Sequence, residues 1–233
     1  LREHDAARLE RRHPEASVTD KARIPAATGS RQDHWDTVYT SKAAAHVSWY
    51  ETYPAKSLEL IRATGAAAGD AIIDVGGGAS FLIEALMAAG YCKLTVLDVS
   101  AAVLQQLRER LGARAAAVKL LQQDVTLFEP PERYALWHDR AVFHFLIERG
   151  ERQRYVEVVR QALLPRGQVI ISGFGPEGPE RCSGLQVARY DAAALAAQLG
   201  ADFALVDSSL SMHRTPWGAE QQFIHCRFQR QPP

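Results

Sequence analysis

Three carboxylates stand just after short apolar runs, at places where a nucleoside-like ligand needs a hydrogen-bond acceptor or a negative charge. The first, Asp74, lies in Ile72-Ile73-Asp74-Val75 and runs into Gly76-Gly77-Gly78-Ala79-Ser80. Consecutive glycines let the backbone turn tightly and come close to a ligand. Gly76 and Gly78 match the first two glycines of the dinucleotide fingerprint GxGxxG, but Phe81 holds the third position. That third glycine allows close helix–strand packing, and a phenyl ring there opposes it. Asp74 would also repel a pyrophosphate. Toward a cofactor that carries an ammonium and a sulfonium instead of phosphates, the same charge is favourable. The turn therefore points to S-adenosylmethionine (SAM) ahead of a dinucleotide.

The second carboxylate, Asp98, ends Thr95-Val96-Leu97-Asp98-Val99-Ser100. A carboxylate there can accept two hydrogen bonds from a ribose diol. Nicotinamide enzymes share this device, so Asp98 supports an adenosine and does not by itself select SAM. The third, in Asp124-Val125, can accept from an adenine amino group while Val125 covers the ring. A fourth polar group, Leu136-Trp137-His138-Asp139-Arg140, closes another apolar run. His138 or Asp139 could orient or deprotonate a nucleophile. A buried polar network that orders the loop is the competing reading.

These groups need elements to hold them. From Asp33-His34-Trp35-Asp36 a helix is expected, with its acidic residues favoured by the helix dipole. Pro54 opens a second helix ending near Gly65. Strands are expected at Ala71–Val75, Lys93–Leu97, Ala117–Leu121, Tyr134–His138 and Val169–Phe174. Between them fall helices over Ser80–Ala89, from the Ser100 cap through Leu111, and over Glu151–Leu164. Ala141–Ile147 reads as an apolar helix in which His144 is a packed histidine. A further helix covers Asp191–Leu199, and two final strands, Phe203–Ser208 and Gln222–Phe228, follow with no room for a crossover helix. Alternating strands and helices imply a doubly wound α/β fold: a mainly parallel sheet with helices on both faces. The short last connection implies an antiparallel last strand.

Composition agrees with one such unit. The chain has 233 residues, 47% apolar and 23% charged, with 27 Lys plus Arg against 27 Asp plus Glu. A zero formal charge gives no global field for nucleic acid, which is not expected as a partner. Cys92, Cys182 and Cys226 are far apart and form no CxxC pair. This argues against a metal site or a disulfide framework and fits a reducing, cytoplasmic setting. No apolar run approaches a membrane span, and the charged N-terminus lacks the apolar block of a signal peptide. Residues 1–30, rich in Arg, Glu and Ala, read as a flexible extension. Residues 31–65 read as an N-terminal helical cap and 66–233 as the Rossmann-like core. The oligomeric state is left open.

Taken in order, Asp74-Val75-Gly76-Gly77-Gly78, Asp98, Asp124-Val125 and Leu163-Leu164-Pro165-Arg166-Gly167 resemble the class I SAM-dependent methyltransferases. The resemblance covers residues 31–230 in outline. It implies a seven-stranded sheet and a product S-adenosylhomocysteine. It places Gly76, Gly77 and Gly78 under the methionine part, Asp98 and Val99 at the ribose, and Asp124 with Val125 at the adenine. Ser80 departs from the family pattern, which often has another glycine there. Val47-Ser48-Trp49-Tyr50 is similar to a Ser-Trp-Phe/Tyr segment of protein-lysine methyltransferases that act on elongation factor 1-alpha and citrate synthase, and thiopurine-type enzymes share such a cap. That likeness implies that Trp49 helps to close over the cofactor and that Tyr50 faces substrate. Aromatic core packing is the alternative for both.

Methyl transfer from a sulfonium is an in-line displacement, so the protein mainly positions the nucleophile and excludes water. Leu136–Arg140 is not the Asn/Asp-Pro-Pro-Tyr motif of adenine and glutamine methyltransferases. With Arg140, the residues Arg181, His213, Arg214 and Trp217 could form a substrate wall, and solvated surface loops are the alternative reading. Two arginines and a histidine at one mouth would favour an anionic acceptor. Cys182 reads as a structural thiol. The expected reaction is methylation of a small molecule or a protein lysine. A nicotinamide-dependent oxidoreductase is the rival that Phe81 and Asp74 oppose, and a non-catalytic SAM-binding module is a third reading.

Overall fold

The computed structural model describes residues 30–41 and 47–232; residues 1–29 of the expected N-terminal extension lie outside them. In chain order the regular elements are α1 (Arg31–Ser41), α2 (Ala55–Ala63), β1 (Ala71–Val75), α3 (Leu82–Ala88), β2 (Lys93–Asp98), α4 (Ala101–Leu111), β3 (Val118–Gln122), β4 (Tyr134–Arg140), α5 (Arg149–Ala162), β5 (Leu163–Phe174), β6 (Arg181–Cys182), β7 (Leu185–Gln186), α6 (Ala192–Leu199), β8 (Phe203–Arg214) and β9 (Glu220–Arg230). Seven strands form one sheet in the order β3-β2-β1-β4-β5-β9-β8. β3, β2, β1, β4 and β5 are parallel to their neighbours, and β9 runs antiparallel to both β5 and β8. The last strand in the chain is thus the antiparallel one, inserted next to the edge and not at it.

Alternation along the strands divides the core between two faces. Ile72, Leu94, Val96, Leu136 and Ile170 pack with Leu58, Ile61, Leu82, Leu86 and Leu107 from α2, α3 and α4. Ile73, Val75, Trp137, Val169 and Ile171 point the other way, onto Tyr155, Val159, Leu195 and Leu199 of α5 and α6. Local signals set most boundaries. The Ser100 hydroxyl accepts from the Val103 amide to cap α4, and Asp191 accepts from Ala194 to cap α6. α1 begins two residues before Asp33, because Ser30 and Asp33 cap it reciprocally: the Asp33 amide donates to Ser30 Oγ and the Ser30 amide to Asp33 Oδ2.

Three expectations are corrected. The helix read through Leu164 ends at Ala162, and β5 starts at Leu163. Its pairing with β4 jumps from Tyr134↔Leu163 to Leu136↔Gln168, with Arg166 at φ 60° inside the irregularity. Pro165-Arg166-Gly167 therefore bulges a strand, where the sequence suggested the end of a helix. Ala141–Ile147 is not a helix but a turn with one 3-10 stretch, Phe143–Phe145. Asp139 accepts from the amides of Val142 and Phe143 and so diverts the backbone. Finally, β8 and β9 are longer than expected, and β6–β7 is a small hairpin turning through Ser183 and Gly184, both at positive φ.

Candidate active site

The carboxyl ends of β1, β2, β3, β4 and β5 share one edge of the sheet, and a cavity opens there. It holds about 1020 Å³ of empty space, its open mouth included. α1 roofs it with Trp35 and Tyr39, joined by Trp49. Trp49 meets Trp35 edge-on at 5.9 Å and Tyr39 at 6.4 Å, so it is both a packed aromatic and a wall of the cavity.

One end of the cavity lies over β1, β2 and β3. Gly76 sits at φ 68°, and its amide donates to Leu97 O at 2.7 Å. A side chain at Gly76 would strike Val142, and one at Gly77 would strike Asp74 Oδ2. The backbone therefore stays bare where it faces the cavity. Asp74 is buried; its Oδ1 lies 2.7 Å from His138 Nδ1, while Oδ2 has no hydrogen-bond partner. A buried, unpartnered carboxylate oxygen on the cavity wall fits the ammonium of SAM.

Asp98 accepts from the Ser100 amide at 3.0 Å and from the Gly78 amide at 3.3 Å. Burial pushes its pKa up to about 6, against the pull of those two amides. Val99 and Val125 line the cavity beside it. Gly78 lies behind the wall and acts through Asp98. Asp124 lines the cavity too, but both its oxygens have partners: Oδ1 caps the turn at Thr126, and Oδ2 pairs with Arg31 at 2.6 Å. Arg31, on α1, also pairs with Glu151. This bridge fastens the roof to β3 and α5. Asp36 fastens it again, accepting from Ser100 Oγ at 2.6 Å and from the Ala102 amide. Neither role of α1 was read from the sequence, because Arg31 and Asp36 find partners far along the chain.

The other end lies over β4, β5 and the start of β9. Arg140, Ala141, His144, Phe145, Phe174, Cys182, Gln221 and Phe223 line it. Arg140 donates to Trp49 O at 3.1 Å and to Glu51 Oε1 at 2.7 Å, and its guanidinium lies 5.2 Å from the centre of the Phe223 ring. It clamps the roof segment onto the core.

Several expected site residues are placed elsewhere. His138 and Asp139 are neighbours on β4, so their side chains leave opposite faces of the sheet. His138 faces α2, with its Nδ1 on Asp74 and its Nε2 3.0 Å from Ser57 Oγ. It touches the cavity with both ring nitrogens engaged. Asp139 faces α5 instead. It is fully buried and accepts from Tyr155 Oη at 2.7 Å as well as from the two loop amides, and burial pushes its pKa up to about 6. Asp139 is withdrawn as a catalytic base, since no oxygen of it reaches the cavity. The expected substrate wall is also corrected. Arg181 donates to Gly184 O within its own hairpin, Arg214 faces solvent, and Trp217 is 61% exposed; none lines the cavity. The long β8–β9 ladder carries the hairpin past the mouth. His213 lies 2.7 Å from Ser48 O and near Glu51, where it steadies the roof segment. Tyr50 packs edge-on against Phe81, outside the lining. Among the described residues no cluster of His, Cys, Asp or Glu could hold a metal ion, and no helix is long and apolar enough to cross a membrane.

Comparison with known proteins agrees with this geometry. Residues 72–167 match the family model of a methyltransferase domain. The chain is 28% identical over 120 residues to the eEF1A lysine and N-terminal methyltransferase of Mus musculus, which covers 51% of this chain and 16% of that protein. Its Bos taurus counterpart is 26% identical over 151 residues, 60% of this chain and 20% of that protein. The chain thus spans about a fifth or less of the length of these relatives. A structure described as the conversion of a disulfide bond into a thioacetal group during echinomycin biosynthesis superposes with TM-score 0.71 at 18% identity, covering 86% of this chain and 91% of that one. The N-methyltransferase NodS from Bradyrhizobium japonicum WM9 gives 0.62 at 17% identity, covering 76% and 96%. The SAM complex of the glycopeptide N-methyltransferase MtfA gives 0.61 at 17%, covering 80% and 97%.

The sheet order and its antiparallel β9 are thus the Rossmann-like fold of these methyltransferase structures, and the methyltransferase-domain match falls on its residues 72–167. Structures that share this fold include an S-adenosylhomocysteine complex of NodS and a SAM complex of MtfA.

Proposed function

We propose that the chain methylates a small, aromatic or otherwise largely apolar molecule that enters over β4 and β5. The observation that carries this reading is the division of the cavity. Its lining carboxylates among the described residues are Asp74, Asp98 and Asp124, all at the β1–β3 end. The other end offers Phe145, Phe174 and Phe223 with Arg140. A lysine or N-terminal amine would need a negative or open approach, and the Trp35–Tyr39–Trp49 roof narrows it.

In this reading Asp98 accepts from the ribose hydroxyls, Asp74 Oδ2 faces the ammonium, and Gly76 and Gly77 leave room for the methionine part. Val99 and Val125 flank the adenine, with Asp124 and Trp49 at its border. The bound cofactor supplies an electrophilic methyl group. The protein's own residues exclude water and hold the acceptor in line with it. His138 acts by fixing Asp74 and not as a base, because both its nitrogens are already engaged. The names of the sequence relatives favour a second reading, a protein amine as acceptor. Incubation of a cell extract with the protein and methyl-labelled SAM decides between them. Label in the metabolite fraction supports the small molecule, and label confined to protein would sink it.

A further inference from the structure

We propose that His144 is the residue that recognises the methyl acceptor, by a hydrogen bond to a neutral N–H, O–H or carbonyl group that the acceptor carries. This rests on the methyltransferase reading and narrows its substrate class to apolar molecules with one polar handle near the reacting atom.

His144 is 1% exposed and lines the cavity at the β4–β5 end. Neither of its ring nitrogens has a hydrogen-bond partner. A buried imidazole that leaves a donor and an acceptor unmet is costly, and native chains satisfy nearly all such groups. The other histidines beside the site do so: His138 has Asp74 and Ser57, and His213 has Ser48 O. The backbone holds His144 in place independently of its ring, since His144 O accepts from the Ala188 amide at 2.8 Å. Its ring packs 4.4 Å from the Phe145 ring and 4.8 Å from the Phe174 ring. A buried polar group set among phenyl rings suits a ligand that is apolar except at one point. Desolvation, helped by Arg140, pushes the imidazole pKa down to about 3. The ring is therefore neutral at physiological pH, and a neutral partner suits it better than an anion.

The test uses phenol and toluene, which differ by one hydroxyl, against the full chain saturated with S-adenosylhomocysteine. Phenol should shift the His144 ring-nitrogen NMR signals and toluene should not. His144→Phe should weaken phenol at least tenfold and leave toluene within about twofold. The same variant removes two orphaned polar atoms, so its Tm should hold or rise. A merely structural histidine would give the reverse, a Tm lower by about 3 °C or more with phenol affinity intact. That result overturns the inference, and so does a wild-type protein that does not bind phenol. Methyl label found only in protein, with the phenol–toluene discrimination intact, would instead remove the small-molecule reading and leave the role of His144 standing.

Discussion

The two ends of the cavity are built on different rules. Over β1–β3, two of the carboxylates that face a ligand have a local hold, Asp98 from the Ser100 amide two residues on and Asp124 from Thr126, to which Gly78 and Arg31 add longer-range contacts. Over β4–β5, the lining comes from four separate stretches of chain, and its polar groups include Arg140, tied outward, and His144, left without partners. A local and rigid site suits a ligand that is always the same molecule. An acceptor differs from enzyme to enzyme, and a site assembled from distant segments can change one wall at a time.

The largest effect is expected at the local end. Asp98→Ala removes an acceptor of two ribose hydrogen bonds and should weaken SAM by at least tenfold, measured by calorimetry. Unchanged affinity would remove the ribose assignment. Arg140→Met comes next and acts on the assembled end. It should cost about 1–2 kcal/mol in denaturant unfolding, because Glu51 and Trp49 O lose a half-buried partner. Its SAM affinity should fall less than that of Asp98→Ala. An equal fall would mean that the two ends are a single energetic unit.

That difference in construction also decides how much the sequence could tell. The β1–β3 end was read almost whole, because strand ends, caps and a glycine turn are local signals. Ser100 and Asp191 bound their helices where the pattern placed them. The β4–β5 end differs from its reading in two places. His138 and Asp139 looked like partners, yet the pleat sends them to opposite faces. Arg181, Arg214 and Trp217 looked like a wall, yet the length of β8 and β9 decides where a hairpin tip falls, and a polar, exposed strand carries little periodic signal. His144 is the packed histidine that it looked like, set against Phe145 and Phe174. Only the fold brings Phe174, Cys182 and Phe223 up to it and leaves its nitrogens bare.

The ends should also respond to pH with opposite sign. Burial raises Asp98 from 3.8 to about 6, so in the ligand-free protein its contribution to stability is present below about pH 4 and lost as pH rises through 6. Burial lowers His144 from 6.5 to about 3, so its contribution is present above pH 6.5 and lost as pH falls toward 3. The Tm gain of Asp98→Asn over wild type should therefore grow from pH 4 to 6 and then level off. That of His144→Phe should grow in the other direction, from pH 6.5 downward. Parallel slopes in the two variants would break the comparison.

The smallest effect is expected at Arg214. A positive side chain on the β8–β9 tip is attractive as an anion clamp, but its guanidinium faces solvent and its nearest bond is a long one, 3.5 Å, to Gly218 O of the same turn. An exposed Arg that touches nothing across the cavity contributes little to stability or binding. Arg214→Ala should leave SAM affinity unchanged and kcat/KM for the identified acceptor within about twofold, because screening by salt and water weakens any long-range pull. A tenfold loss in kcat/KM at unchanged SAM affinity would place the tip over the bound acceptor during turnover. The assembled end would then include a moving part, and its difference from the rigid cofactor end would be larger than the resting structure shows.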